Sequence, residues 1–86
     1  MYGLIWLDEA MDQLADAFVA ATTKDRERIA ASIESLNLLM RDDPFEVGVS
    51  RDGTFRIAFS PLVSIIFNVS KSEQLVKVIL MKRYGK

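Results

Sequence analysis

The sequence predicts an α+β fold, made of a strand, a helical hairpin and then a three-stranded antiparallel meander. Two periodicities indicate this order. Between residues 8 and 41, apolar side chains recur at spacings of three and four, as on one face of a helix. From residue 55 onward they recur at every second position, as on one face of a strand. The chain has 86 residues, of which 50% are hydrophobic, so we expect a single domain over residues 1–86 with one core.

A short strand and the first helix open the chain. Residues 2–7 are apolar and include β-forming aromatic and branched side chains, which predicts a strand. Asp8 is placed to cap the next helix with its carboxylate, and that helix is expected to end near Ala21. Its core-facing stripe is predicted to consist of Met11, Leu14, Ala15 and Phe18.

A second helix follows a break at two threonines. Thr22 and Asp25 have the spacing of a capping box, with aspartate in place of the usual glutamate or glutamine. We expect the helix to stop by Arg41, because helical backbone is disfavoured directly before Pro44. Its core stripe is predicted to be Ile29, Ile33, Leu36 and Met40. Helices joined by so short a turn form an antiparallel hairpin.

The meander is predicted from three alternating segments. The turn signal at residues 52–53 precedes residues 55–60, and residues 63–70 follow after Pro61. The last strand is expected over residues 75–81. With the opening strand, these segments make a sheet of about four strands that carries the helices on one face.

The faces of the last two strands follow from the same alternation. Val63, Ile65, Phe67 and Val69 are predicted to share one face of their strand. Val76, Val78 and Leu80 are predicted to share one face of the final strand. Both strands are apolar on their two faces, which indicates central or half-covered positions. Residues 82–86 are expected to form an exposed basic tail.

The charges are divided between the two halves of the chain. Residues 1–46 carry four basic and ten acidic side chains, a net charge of −6. Residues 47–86 carry seven basic and two acidic side chains, a net charge of +5. An acidic helical half and a basic sheet half suggest an anionic partner for the sheet.

The composition excludes several classes of site. The chain has no cysteine and no histidine, which removes disulfides, thiol nucleophiles, histidine general bases and most zinc sites. No cofactor and no metal site are predicted. The apolar start of the chain meets two acids at residues 8–9, so we expect neither a signal peptide nor a membrane span there. We expect a cytoplasmic protein that does not bind membranes.

Several short motifs, taken in order, resemble the RelE/ParE superfamily of bacterial toxins. The matching features are Trp6 before an acidic helix start, Asp43-Pro44, Gly48-Val49-Ser50-Arg51, Gly53, Arg56, Pro61-Leu62 and Phe67-Asn68-Val69. Together they extend over nearly the whole chain. The sequence looks most like the small plasmid-stabilisation members, in which glutamate stands at the position of Val49.

This resemblance implies a toxin that an antitoxin protein holds silent. Two actions occur in the superfamily: RelE-like members cut mRNA in the ribosomal A site, and ParE-like members poison DNA gyrase without nuclease chemistry. The resemblance leaves open whether the target is mRNA on the ribosome or gyrase.

The resemblance also suggests site residues. Arg56, in the first strand of the meander, falls on the family's second-strand basic position, and Arg83 and Tyr84 fall near a family arginine and tyrosine. These three residues are the catalytic candidates. Ala58 and Ser64 stand where further basic residues are expected. Losing one charge-stabilising group typically lowers a rate by about 10²–10³-fold, so two absences predict little ribonuclease activity.

Three further basic residues, Arg51, Lys77 and Lys82, are predicted to contact nucleic acid. Each candidate also has a plain structural interpretation. Arg56 suits the solvent face of a strand, the basic residues of the tail suit solubility, and Tyr84 suits packing against the sheet.

Three functions therefore remain open. The first is a toxin that acts by binding its target. The second is an active ribosome-dependent endoribonuclease that uses Arg56, Arg83 and Tyr84. The third is an inactive homologue that serves as a protein-binding or self-associating module, including a homodimer.

Overall fold

The computed structural model describes residues 1–84 and has the predicted α+β order. The elements are β1 (Gly3–Trp6), α1 (Asp8–Ala20), α2 (Thr23–Asp42), a 3-10 turn (Pro44–Glu46), β2 (Val49–Asp52), β3 (Phe55–Ser60), β4 (Val63–Ser70) and β5 (Leu75–Arg83). The strands form one sheet in the order β1-β5-β4-β3-β2. β1 runs parallel to β5, and all other neighbours are antiparallel.

The sheet has five strands in the described residues, where about four were expected. The additional strand is β2, which pairs with β3 at the edge of the sheet. All four of its residues are exposed and they show no apolar alternation. Periodicity cannot detect such a strand, because only its backbone pairing holds it in place.

The helix ends agree with the predictions in part. The hydroxyl of Thr22 accepts a hydrogen bond from the backbone N–H of Asp25 at 3.2 Å, which confirms that cap. Asp8 does not cap α1; it is the first helical residue, and Leu7 occupies the N-cap position. Leu7 instead donates its backbone N–H to the carbonyl of Val78 at 2.9 Å, because the chain is still leaving the sheet there.

The buried stripe was predicted more accurately for α2 than for α1. On α2, Ile29, Leu36 and Met40 are buried and Ile33 is partly buried, as predicted. On α1, the buried residues are Ala10 and Ala17, whereas the predicted Met11 and Ala15 are exposed. α1 packs closely against β5. Small side chains such as alanine allow the helix to lie close to the sheet. The spacing of the large apolar residues does not indicate which alanines are buried.

One face of the sheet, the covered face, packs against the helices. Its buried residues are Ala58 of β3, Val63, Ile65, Phe67 and Val69 of β4, and Val76, Val78 and Met81 of β5. Trp6 on β1 donates its indole N–H to the side-chain oxygen of Asn37 on α2 at 3.0 Å. The acidic helical half therefore lies over one side of the basic sheet half.

The other side, the open face, carries the alternate residues of the same strands. A β-bulge in β5 changes its membership, since Phe67 pairs with Val78 but Ile66 pairs with Leu80. The residue between, Ile79, is the extra one. Leu80 therefore lies on the open face, and its predicted grouping with Val76 and Val78 was wrong. The bulge also aligns Lys82 with the open face and Arg83 with the covered face.

β5 extends to Arg83, so Lys82 and Arg83 belong to a strand and the predicted tail does not begin at residue 82. Residues 85 and 86 of that tail lie outside the described part of the chain. No helix within residues 1–84 is both long enough and apolar enough to cross a membrane.

Gln13 on α1 provides a hydrogen-bond acceptor for the backbone of β5, at the part of its edge that β1 does not reach. Its side-chain oxygen accepts the backbone N–H of Met81 at 2.7 Å. We expect Gln13→Ala to lower the free energy of unfolding by about 1–3 kcal/mol, because that N–H would lose its acceptor in a partly buried place. Gln13→Glu keeps an acceptor oxygen and should lose less. Urea unfolding followed by circular dichroism measures both, and equal losses would contradict this role.

Candidate functional site

The open face contains a concave depression of about 430 Å³. The open-face residues that line it are Arg51, Ile57, Phe59, Ser64, Ile66, Leu80 and Lys82. Gln13 of α1 and Met81 of the covered face complete the lining, where Gln13 accepts the backbone N–H of Met81. The apolar floor comes from three neighbouring strands, where Ile57 pairs with Ile66 and Ile66 pairs with Leu80. A concave apolar floor with a few polar groups at its margin is the usual form of a binding site.

Cations stand on both sides of this floor. Arg51 is exposed on β2, at an irregularity in its pairing with β3. Lys82 is exposed on β5, opposite Ser64. Lys77 lies further along the same face, opposite Asn68. The residues that line the depression include no acid, so it can receive an anionic or polar group above an apolar surface.

Tyr84 borders the same face at the end of β5. Its hydroxyl donates to the carbonyl of Ser60 at 2.7 Å, and its backbone N–H donates to the carbonyl of Leu62 at 3.0 Å. Its ring meets that of Phe59 edge-on, with 5.9 Å between the centroids. Tyr84 is thus fixed beside the depression, and its hydroxyl oxygen can still accept a hydrogen bond.

Arg56 lies elsewhere. It pairs with Phe67, which places it on the covered side of β3. Its guanidinium donates to the carbonyls of Val47 at 3.0 Å and Gly48 at 3.2 Å. These bonds hold the segment that leads into β2, and therefore they position Arg51 indirectly.

Arg83 also points away from the open face. It pairs with Val63, and its guanidinium contacts the carboxylate of Asp25 on α2 at 2.9 Å. The Nε atom of Arg83 is buried and has no hydrogen-bond partner within the described residues. The ion pair joins the start of α2 to the end of β5.

The structure therefore divides the predicted site residues into two groups. The catalytic candidates Arg56, Arg83 and Tyr84 are not brought together, since only Tyr84 lies beside the depression. The predicted nucleic-acid contacts Arg51, Lys77 and Lys82 share the open face. The bulge in β5 accounts for the position of Arg83, and a sequence pattern does not reveal it.

Ala58 and Ser64, the two positions where the superfamily has basic residues, lie on opposite faces of the sheet. Ala58 is buried on the covered face with 2% of its surface exposed, so a cation there would not face the depression. Ser64 lines the depression between Phe59 and Lys82, its partners in the sheet. Its small polar side chain therefore leaves the centre of the site without a cation.

Phe59 is a functional candidate that neither the motifs nor the charge pattern of the sequence indicates. It is 64% exposed and lines the depression. The alternation of Phe55, Ile57 and Phe59 placed them on one face but could not tell which face the helices cover. The face of β3 that carries Ala58 is the buried one, and hydrophobicity does not indicate this because alanine is less apolar than phenylalanine or isoleucine.

We expect the contact between Asp25 and Arg83 to be structural. In a double-mutant cycle with Asp25→Asn and Arg83→Met, the two changes should couple by about 0.5–3 kcal/mol, because the groups touch and are mostly shielded from water. Denaturant unfolding of the four proteins measures the coupling. Additive losses would show that the pair contributes no stability.

The sequence matches no protein-family model and no curated protein. Solved structures match it over nearly the whole chain. A chain of the toxin–antitoxin complex RelBE2 from Mycobacterium tuberculosis superposes with a TM-score of 0.74 at 11% identity, covering 99% of this chain and 93% of that one. The isolated RelE toxin of E. coli gives 0.68 at 12% identity, with 100% and 87% covered. A chain of the ParDE system of P. aeruginosa gives 0.70 at 18% identity, with 99% and 98% covered.

These similarities confirm the resemblance at the level of the fold. Both RelE and ParE branches are represented among them, and the identities are low in each case. Similarity of this kind does not by itself assign an activity. The chain has the fold of the RelE/ParE toxins.

Proposed function

We propose that this protein is the toxin of a type II toxin–antitoxin system and that it acts by binding its target. The observation that supports this proposal is the apolar depression between Arg51 and Lys82, on the side of the sheet that the helices leave uncovered. The fold that the chain shares with proteins of toxin–antitoxin systems also supports the proposal. Ribosomal RNA and gyrase-bound DNA both offer the phosphates that these cations would attract.

Binding is favoured over cleavage by the position of the cations. Cleavage of RNA needs a base at the 2′-hydroxyl, cations near the phosphate and an acid at the leaving oxygen. Arg56 and Arg83 are held by protein groups on the covered side, and Ser64 occupies the centre of the depression. The ribonuclease alternative is supported by Tyr84 and Lys82, which border the same depression.

An antitoxin partner is supported by apolar side chains that the helices expose. Met11, Val19, Leu38 and Leu39 are 50–79% exposed on α1 and α2. Exposed apolar residues on amphipathic helices are typical of surfaces that a protein partner covers. By analogy with the toxin–antitoxin complexes of the same fold, we propose that an antitoxin encoded by a neighbouring gene covers these residues and that both proteins reside in the cytoplasm with the target.

Inducing the protein in bacteria should stop growth, and co-expression of the neighbouring gene should restore it. Mapping transcript ends and chromosomal breaks in the arrested cells then identifies the target. Breaks in DNA with intact transcripts indicate gyrase. Cuts within translated codons indicate the ribonuclease. Arrest with neither, but with stalled ribosomes, indicates ribosome binding without cleavage.

The control is an unrelated protein of similar size that is expressed to the same level. Normal growth at an expression level confirmed by immunoblotting would contradict the toxin proposal. That outcome would favour the third interpretation, an inactive homologue that serves as a binding module.

A further inference from the structure

A second depression, of about 410 Å³, lies between α2 and β3. It is lined by Leu36, Leu39, Asp42, Asp43, Glu46, Val47, Gly48, Ala58 and Phe59. The floor is apolar, as in the depression of the open face, but the charged residues here are all acidic. We call this surface the acidic depression, and the one lined by Arg51 and Lys82 the basic depression.

The fold itself does not explain these acids. Asp42 is the last residue of α2 and Asp43 follows it, at the end of the helix where the dipole disfavours negative charge. Glu46 is exposed nearby. The two salt bridges found within residues 1–84 both use Asp25, so none of these carboxylates is neutralised by an ion pair there. They are available to a cationic partner.

Phe59 lies at the boundary of the two depressions and lines both. Its side chain is 64% exposed. β2 pairs with β3 only as far as Ile57, so the edge of β3 at Phe59 lies beyond the end of β2. An exposed aromatic residue thus lies between an acidic apolar surface and a basic apolar surface, where β2 leaves the edge of β3 uncovered.

We propose that the partner of this edge is a second copy of the same chain. A two-fold rotation near Phe59 would set the acidic depression of each copy against Arg51 and Lys82 of the other, so that every charge contact occurs twice. Two-fold interfaces are self-complementary in this way. An aromatic centre with charged residues around it is also the usual composition of a specific interface.

Pairing would have a consequence for the proposed toxin. Because Arg51 and Lys82 would be covered, the dimer would be a resting form that dissociates before the target is bound. This consequence depends on the proposed function. The existence of the dimer does not depend on the proposed function, and a measurement of the molecular mass in solution tests it.

Sedimentation velocity at rising concentration of the full chain tests the proposal. We expect a shift from monomer to dimer without larger species. The association should weaken as salt is raised from 50 mM to 500 mM, because the Debye length becomes about threefold shorter. Asp42→Lys with Asp43→Lys, called the acid-reversed variant, should dimerise at least about tenfold more weakly. Arg51→Glu with Lys82→Glu, called the base-reversed variant, should do the same.

Mixing the two variants gives the decisive result. In a mixed dimer, the unchanged bases of one copy meet the unchanged acids of the other, and the reversed residues meet with opposite charge. The mixture should therefore dimerise at least as well as the original protein, although neither variant does so alone. This rescue also shows that both variants are folded.

Matched controls separate this edge from general charge effects. Asp12 and Asp16 are exposed on α1, and reversing both to lysine should leave dimerisation unchanged. Phe59→Ser should weaken the dimer, whereas Val19→Ser, at a residue 79% exposed on α1, should not. A monomer at all concentrations, growth beyond a dimer, or failure of the mixed variants to pair would each overturn the proposal.

Discussion

Gly48→Ala should cost more stability than the same change at Gly3 or Gly53, the other glycines within residues 1–84. Gly48 has a φ of +64°, a left-handed conformation that side chains other than glycine rarely adopt. A Cβ atom there would overlap the carbonyl oxygen of Ile57 and would lie 2.9 Å from the Cα of Ala58. Both neighbours are backbone atoms of β3, so neither can turn aside. We expect a loss of roughly 3–5 kcal/mol in the free energy of unfolding.

Gly53→Ala is the matched control. Gly53 also has a positive φ, +57°, but no atom lies within 4 Å of a Cβ built there. It should therefore show only the backbone cost, about 1–2 kcal/mol. Urea unfolding of the two variants measures the difference. Equal losses would show that Gly48 does not pack against β3 as closely as the structure has it.

Reversing the two cations of the basic depression should abolish growth arrest without unfolding the protein. Arg51 and Lys82 are exposed, and neither makes a salt bridge within residues 1–84, so their replacement by glutamate removes little stability. For an anionic target, attraction becomes repulsion at two points. We expect affinity for the target to fall by roughly 100-fold or more. Growth after induction is the measurement, at expression levels matched by immunoblotting.

Lys24→Glu with Lys71→Glu changes the net charge of the protein by the same amount. Both lysines are exposed, and neither lines the basic depression. This variant should still stop growth. If the Arg51/Lys82 variant arrested growth as strongly as the original protein, the basic depression would not be the surface that meets the target. If both pairs abolished arrest alike, net charge and not this surface would explain the effect.

The elements of the fold that have a clear apolar periodicity were predictable from the sequence. The helix stripe of Ile29, Leu36 and Met40 and the strand alternation of β4 were both confirmed. β2 escaped prediction because its four exposed residues have no apolar pattern. Ala10 and Ala17 were missed on α1, because close packing selects small residues that hydrophobicity ranks low.

The candidate site was less predictable. The sequence separated basic from acidic halves, and Arg51 and Lys82 do share the open face. It could not place Arg83, because a single bulge at Ile79 reverses the faces of all later residues in β5. It could not place Arg56 either, since its bonds to Val47 and Gly48 depend on how the chain leaves α2. Both arginines were named through resemblance, which supplies positions along the chain but not directions.

Direct binding to the two superfamily targets tests the central claim, that the basic depression is the surface through which this protein acts. The purified original protein, the Arg51→Glu/Lys82→Glu variant and the Lys24→Glu/Lys71→Glu variant would each be titrated against ribosomes and against DNA gyrase. We predict saturable binding of the original protein and the Lys24/Lys71 variant to one of the two targets, and loss of that binding in the Arg51/Lys82 variant. Undiminished binding by the Arg51/Lys82 variant, or binding of the original protein to neither target, would contradict the account.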